Sequence, residues 1–402
     1  MSKNANLSKA KNAKNDEFYT RLEDIEKELN SYDPKVFKDK VIFCNCDDPT
    51  SSNFWNFFHM NFNRLGLKKL ISTHYNMDGS PSYKMEYASK DPKDDVVLDK
   101  GIKKPLKGNG DFRSDECIKL LKQSDLVVTN PPFSLFREYV AQLKQYNKEF
   151  IIWGNNNAIT YKEIFPLIKE GKMWLGYCVN KTCYFRLSHD YPKWDEKFTA
   201  KMHDGNRYGK VPAISTFTNV DTTKRHHKLE TVYRWCERKE KYPGLYPKYD
   251  NYDAIEVGKV LQIPLDYTGA MGIPITFLDK FDPDQFEILG VTSGRKEYDK
   301  RAWPTKRYIN ALQYNQNGTT SNGSKVNTGP MFLVNSKPTK GVYYTADNVK
   351  GYLLRKYDRI LIRNKHPEDY MNDAGNGDDL IKIKDYNFNH MPGNINLPVS
   401  VF

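Results

Sequence analysis

The chain has 402 residues, of which 39% are hydrophobic and 28% charged, enough for two or three packed domains with a sizeable core. No apolar run approaches the ~18–20 residues of a membrane span, and the first fourteen residues lack the apolar core of a signal peptide. No membrane association is therefore expected, and the reading is a cytoplasmic protein. Lys and Arg together number 62 against 50 Asp and Glu, a balance that favours a polyanionic partner because neutralised phosphates release counterions.

In chain order, residues 1–15 are polar and carry Lys3, Lys9, Lys11 and Lys14, which reads as a disordered basic tail. Phe18-Tyr19-Thr20 is expected to open a helix, with Thr20 and Glu23 at capping-box spacing and Leu22, Ile25 and Leu29 on one face. Asp33-Pro34 ends it. Residues 41–44 form an apolar strand that runs into Asp47-Asp48-Pro49. A helix over 54–62, a strand over 70–73 and a charged hairpin insertion over 78–100 follow. Residues 108–112 form a turn. Ser114 is placed to cap a helix over 115–123, and 125–130 is a strand. Ser134 is placed to cap a helix reaching about Tyr146, and 150–153 is the next strand. Strands that alternate with helices predict an α/β fold with a doubly wound, mostly parallel sheet. Ligands of such sheets bind beyond the carboxyl ends of the strands, where Asp47, Asp48, Asp111 and Asn130 converge.

The pattern changes after about residue 170. Short strand-like runs occupy 173–177, 182–187 and 213–218. A basic stretch follows over 224–241, then a Pro-, Gly- and Tyr-rich region. The expected organisation is a tail over 1–15, a catalytic domain over 16–240 and a mixed α+β region over 241–402. In the last, Lys300, Arg301, Lys306 and Arg307, with Arg295, Lys296 and Trp303, form one basic group. Arg355, Lys356, Arg359, Arg363 and Lys365 form another. Cysteines 44, 46, 117, 178, 183 and 236 show no C-x-x-C pair and no zinc-ligand spacing, so reduced thiols and no metal site are expected.

The chemistry concentrates at Asn130-Pro131-Pro132-Phe133. Two prolines fix two φ angles and remove two N–H donors, and a residue before proline is pushed out of the helical region. The result is a stiff turn that holds the Asn130 amide and the Pro131 carbonyl in place. Two acceptors so held suit the two hydrogens of an exocyclic amino group. They localise its delocalised lone pair for attack on a sulfonium methyl, and Phe133 can stack on the base. Catalysis of this kind is positioning and electrostatics. A base must first leave the duplex stack. The donor needs an acid, small residues and an apolar face, which Asp48-Pro49-Thr50-Ser51-Ser52-Asn53 and Gly110-Asp111-Phe112 offer.

The order Phe18-Tyr19-Thr20, Asp47-Asp48-Pro49, Gly110-Asp111-Phe112, Asn130-Pro131-Pro132-Phe133 resembles adenine-N6 DNA methyltransferases that use S-adenosyl-L-methionine. Cys44-Asn45-Cys46-Asp47-Asp48-Pro49, Ser52-Asn53-Phe54, Leu65-Gly66-Leu67-Lys68-Lys69-Leu70 and Gly269-Ala270-Met271-Gly272-Ile273-Pro274 are similar to the EcoRI adenine methyltransferase family over roughly residues 15–300. The resemblance implies a class I, Rossmann-like methyltransferase fold. It implies that Phe18, Tyr19 and Thr20 close over the donor's methionine part. Asp47 or Asp48, with Pro49 and Asn53, would meet the donor near the first strand, Asp111 and Phe112 would hold its adenine, and Asn130 would border it.

Two departures stand out. Ser51, Ser52 and Asn53 replace the usual glycines. Thr73-His74-Tyr75-Asn76 replaces the acid that commonly follows the second strand, which leaves Asp78 as the nearest acid for the ribose. The expected partner is double-stranded DNA, read by a monomer with an associated restriction endonuclease. Methylation of cytosine-N4, RNA or a protein glutamine stays open at this level, as does an inactive DNA-binding module.

Overall fold

Four short, mostly apolar strands build the centre of one large sheet. The computed structural model describes residues 19–88, 101–186, 199–201, 205–231, 233–235, 244–292 and 299–370. Phe18, the basic tail, Cys236, Arg238, Lys239, Lys241, Arg295 and Lys296 lie outside them. The chain divides into two compact units, Met1–His226 and His227–Phe402.

The first unit runs Tyr19–Thr20 (β1), Leu22–Leu29 (α1), Val41–Cys44 (β2), Asn53–Met60 (α2), Lys69–Thr73 (β3), Tyr83–Tyr87 (β4), Ile102–Pro105 (β5), Asp115–Gln123 (α3) and Leu126–Thr129 (β6). It continues with Phe136–Gln145 (α4), Glu149–Asn155 (β7), Phe165–Lys169 (α5), Trp174–Leu175 (β8), Lys181–Arg186 (β9), Thr199–Lys201 (β10) and Arg207–Thr218 (β11). All its strands share one sheet of order β1-β9-β11-β7-β6-β2-β3-β4-β5, with β8 and β10 also paired to β11.

Parallel pairing is confined to β3, β2, β6 and β7, so the sheet is mixed rather than mostly parallel. The reason lies in the connections. Helices α2 and α4 carry the chain from β2 to β3 and from β6 to β7, and only such crossovers return a strand parallel. The outer strands β4 and β5, and β9 and β11, enter with antiparallel partners. The strand-like runs after residue 170 thus extend the same sheet.

The central strands are buried along their whole length. On one face Ile42, Cys44, Val128, Ile151 and Trp153 cluster with Ile25 and Leu29 of α1 and Phe54, Phe57 and Phe58 of α2. Trp153 and Phe54 meet edge to face at 4.9 Å. Phe136 of α4 meets Phe217 of β11 at 5.1 Å.

Two helix starts differ from expectation. Tyr19 and Thr20 pair with Arg186 and Phe185 as a strand, so the helix opens later, at Leu22, with extended Arg21 as its cap and no side-chain cap bond. With Thr20 extended in the strand, Arg21 rather than Thr20 takes the cap position. Ser134 lies in a 3-10 turn, Phe133–Leu135, and α4 begins after it without a side-chain cap. Ser114 does cap α3, accepting from Cys117 N at 3.3 Å.

The second unit holds a four-stranded sheet and a five-stranded one. Its strands are Ala254–Glu256 (β12), Ala270–Ile273 (β13), Phe286–Val291 (β14), Leu312–Tyr314 (β15), Thr320–Asn322 (β16), Met331–Val334 (β17), Tyr343–Thr345 (β18), Tyr352–Arg355 (β19) and Ile360–Asn364 (β20). Their orders are β12-β13-β20-β14 and β16-β15-β18-β19-β17. Arg359 clamps the buried Glu256 carboxylate at 2.7 Å, and Tyr249 also donates to it. No helix among the described residues is long and apolar enough to cross a membrane.

Glu86 on β4 gathers Lys69 of β3, Lys84 of its own strand and Lys104 of β5 at 3.2, 2.8 and 2.9 Å. Partial burial pushes its pKa up, but the three ammonium groups outweigh this and hold it at about 2. A depressed carboxylate pKa stabilises the fold above its unfolded value of 4.5, and that contribution is lost as pH falls toward about 2. Glu86→Gln should flatten the acid limb of a pH–melting profile in this window. Its cost at neutral pH should be on the order of 1 kcal/mol, as expected of a partly solvated ion-pair cluster.

Candidate active site

The carboxyl ends of β2, β3, β6 and β7 face one edge of the sheet, and the side chains there are tied to one another. The Thr129 hydroxyl at the end of β6 donates to the Asn45 carbonyl just past β2. The Asn45 amide oxygen accepts from Tyr139 of α4 at 3.2 Å and from the Cys46 thiol at 2.8 Å. The hydroxyl of Ser72 on β3 reaches the Cys44 and Asp47 carbonyls at 2.8 and 2.6 Å. These lateral bonds fix the strand ends where Asn130 emerges. Asn130 is 9% exposed, with its amide oxygen shielded from solvent. Pro131 is buried and Pro132 half-buried. The Pro132 carbonyl accepts from Leu135 N at 2.9 Å, which closes the turn. Phe133 is half-buried and meets Phe185 edge-on at 6.1 Å.

Side chains replace glycine in the loop after β2. Cys46 adopts φ 61°, a left-handed conformation that costs a non-glycine residue about 1–3 kcal/mol and recurs at functional sites. Asp47 N donates to the Thr73 carbonyl at 3.1 Å, and the Ser52 hydroxyl donates to its carboxylate. The same Ser52 oxygen caps α2 by accepting from Phe54 N at 3.0 Å. Asn53 donates to the Thr20 carbonyl at 2.8 Å, tying the loop to β1. Arg186 lies over the Tyr19 ring at 5.0 Å. Of the expected donor residues, Thr20 and Asn53 are thus bonded to each other and Asp47 to the neighbouring Ser52; Phe18 lies outside the described residues.

Asp48 is engaged by Thr50, at 2.8 Å from its hydroxyl, and by the Tyr83 hydroxyl. Burial pushes its pKa up, but these hydrogen bonds win and leave it below the ordinary carboxylate value. Burial and the Asp48 charge together push Tyr83 up to about 12. His74 follows β3 where an acid was sought. It stacks on Tyr83 at 5.1 Å and bonds Ser82 through Nδ1 at 2.8 Å. Asp78 is exposed and uses its carboxylate to accept from Ser80 N at 2.8 Å, closing its own turn. Tyr83 was not foreseen because it arrives on the antiparallel hairpin, far from the donor-side residues in sequence.

Asp111 is gripped by Arg113 through Nε at 3.0 Å and a terminal nitrogen at 2.7 Å. This pairing, more than burial opposes it, holds the carboxyl below its usual range. Phe112 is 3% exposed and meets Tyr139 edge-on at 5.1 Å. The turn before it is crowded. Gly110 sits at φ 82°, and a Cβ there would lie 1.9 Å from the His74 carbonyl oxygen.

Among the described residues here, buried polar atoms without a hydrogen-bond partner include Thr20 Oγ1, Asn45 Nδ2 and Asn155 Nδ2. Buried polar groups are nearly always satisfied, so their gathering at one sheet edge fits the binding of polar ligands. The turn offers fixed acceptors and no nucleophile of its own, which suits transfer of a methyl group to an amino nitrogen. A family model described as adenine-specific methyltransferase EcoRI matches residues 6–365, and the chain belongs to that family.

Among its relatives, the type II methyltransferase M.EcoRI of Escherichia coli is 46% identical over 312 residues, 74% of this chain and 94% of the relative. M.MpnI of Mycoplasma pneumoniae is 46% identical over 286 residues, 70% of this chain and 84% of its own length. M.MgeORF184P of Mycoplasma genitalium is 44% identical over 289 residues, 70% of this chain and 85% of its own. No solved structure matches the chain.

Gly110→Ala should lower the melting temperature, with a cost of about 2 kcal/mol or more from strained φ and backbone contact. Gly108→Ala is the control, since its Cβ would meet only the Glu116 side chain at 3.6 Å. Equal melting temperatures for the two variants would contradict the packing of this turn.

Proposed function

We propose that the protein transfers a methyl group from S-adenosyl-L-methionine to the N6 amino group of an adenine flipped out of a specific duplex DNA sequence. It acts as the modification enzyme of a restriction-modification or phage system, in the cytoplasm, as a monomer alongside a cognate restriction endonuclease. The observation that carries this reading is the rigid Asn130-Pro131-Pro132-Phe133 turn at the end of β6, in a chain of the EcoRI family. That family favours adenine in DNA over cytosine-N4, RNA or a glutamine amide. The sheet is read as a class I, doubly wound methyltransferase fold, with β2, β3, β6 and β7 as its parallel centre.

When bound, the donor supplies an electrophilic methyl group. The Asn130 amide oxygen and the Pro131 carbonyl accept the two amino hydrogens of the base, which draws the nitrogen lone pair out of conjugation and aims it. Phe133 stacks on the ring. Phe18, Tyr19 and Thr20 cover the donor's methionine part. Asp47, Asp48, Pro49 and Asn53 form the wall below it, and the ionised Asp48 is kept in place by Tyr83. Asp111 accepts from the donor's adenine amino group, and Phe112 lines the floor.

In the second unit Arg301, Arg355, Arg359, Arg363 and Lys306 are all ion-paired internally. Lys300, Arg307, Lys356 and Lys365 are exposed. We assign the exposed cations to phosphate contact and the paired ones to holding the recognition surface in shape. Binding of this kind weakens steeply with salt.

Asn130→Ala should lower single-turnover methylation of target DNA about 10³-fold or more, while DNA binding persists. Asp111→Ala should weaken donor binding by calorimetry about tenfold or more. Normal turnover by the first variant sinks the assigned mechanism, and normal donor affinity of the second sinks the assigned donor site.

A further inference from the structure

β7 ends at Asn155, and Asn156 and Asn157 open the 3-10 turn that follows. β7 is the parallel neighbour of β6, with Thr129 opposite Ile152. Side chains alternate along a strand, so Ile151, Trp153 and Asn155 share a face. Ile151, Trp153 and Val128 belong to the core cluster against which Phe133 packs. Continued past Val128, the same alternation brings Asn130 to that face, opposite Trp153. Asn155 therefore stands two strand positions, roughly 7 Å, further along the face that carries the turn.

The Asn155 amide is oriented. Its Oδ1 accepts from Asn157 N at 3.0 Å, and a backbone N–H can be answered only by the oxygen of an amide, which fixes where the nitrogen lies. That nitrogen, Nδ2, is buried and has no partner. Neighbouring Asn156 is occupied otherwise, accepting from Ser215 Oγ at 2.9 Å. Packing holds the strand end still, since a Cβ on Gly154 would lie 2.6 Å from the Phe136 ring.

The side of the sheet decides what this N–H faces. The donor residues Asp47, Asp48 and Asn53 follow β2, on one side of β6. β7 lies on the other side of β6; β1 comes later on that side, but Asn53 binds its Thr20 back to the loop after β2, so Asn155 is left for the methyl acceptor. Once its amino hydrogens are taken by Asn130 and Pro131, adenine presents only acceptors, its ring nitrogens N1, N3 and N7. We propose that Asn155 Nδ2 donates a hydrogen bond to one ring nitrogen of the flipped adenine and so sets the rotation of the base in its own plane. This rests on the adenine reading above.

The test is a double-mutant cycle across the interface. Full-length wild type and Asn155→Asp, which keeps the acceptor for Asn157 N and removes the donor, are compared in single-turnover methylation. The substrates are the target duplex and three duplexes in which the target adenine is replaced by 1-, 3- or 7-deazaadenine. Asn155→Asp should slow the natural duplex about tenfold or more, and for one analogue the natural-to-analogue rate ratio should shrink by a similar factor. Donor affinity by calorimetry and melting temperature should stay at wild-type values, and Asn155→Ala should behave like Asn155→Asp.

Wild-type turnover by Asn155→Asp overturns the proposal. So do undiminished ratios for all three analogues, or a loss of donor affinity. A wild type that methylates no duplex overturns the parent reading, and this inference with it. That result differs from failure of the inference alone, where the wild type reacts and the variant matches it.

Discussion

Two proline rings after Asn130 set the geometry on which the site depends. They remove the donors and the torsional freedom that would let the end of β6 wander. The Thr129 hydroxyl, tied to the Asn45 carbonyl, carries that rigidity sideways to β2. Asn45 in turn binds Tyr139 of α4, the helix that follows the turn. The end of β6, the loop after β2 and the next helix are thus held by one short chain of bonds. A methyl transfer driven by positioning needs such a frame, because small misplacements of the acceptor cost large factors in rate.

The loop after β2 reaches the same end by other means. Where a glycine loop would be expected, Cys46 carries the left-handed turn, Ser52 both caps α2 and binds Asp47, and Asn53 reaches back to Thr20. Substituting side-chain bonds for glycine fixes the loop more firmly at the cost of local strain. On the far side, Tyr83 and His74 stack at the place where other such sheets present an acid. Asp48 is held there by Tyr83 and Thr50.

The central strands were legible because they are short apolar runs between clear turns. Asn130 to Phe133 was legible because proline chemistry is local. The start of α1 was not. Tyr19 and Thr20 look like a capped helix opening, and only pairing with Arg186 and Phe185, more than 160 residues away, makes them a strand. The mixed sheet was hidden for the same reason, since hairpin direction follows from connection length and from partners distant in sequence. Tyr83 and Asn155 escaped notice because nothing about a tyrosine in a hairpin shows that it reaches Asp48, and nothing about an asparagine at a strand end shows which of its atoms lacks a partner. The basic groups of the second unit misled in another way: most of their arginines answer carboxylates within the unit, as Arg359 answers Glu256.

The central claim is that the turn at the end of β6 grips an adenine amino group for methylation. The most direct measurement is mass spectrometry of nucleosides from DNA exposed to the purified protein and S-adenosyl-L-methionine. N6-methyladenine should appear with wild type and be absent with Asn130→Ala. N4-methylcytosine, or no modified nucleoside at all, would contradict the account.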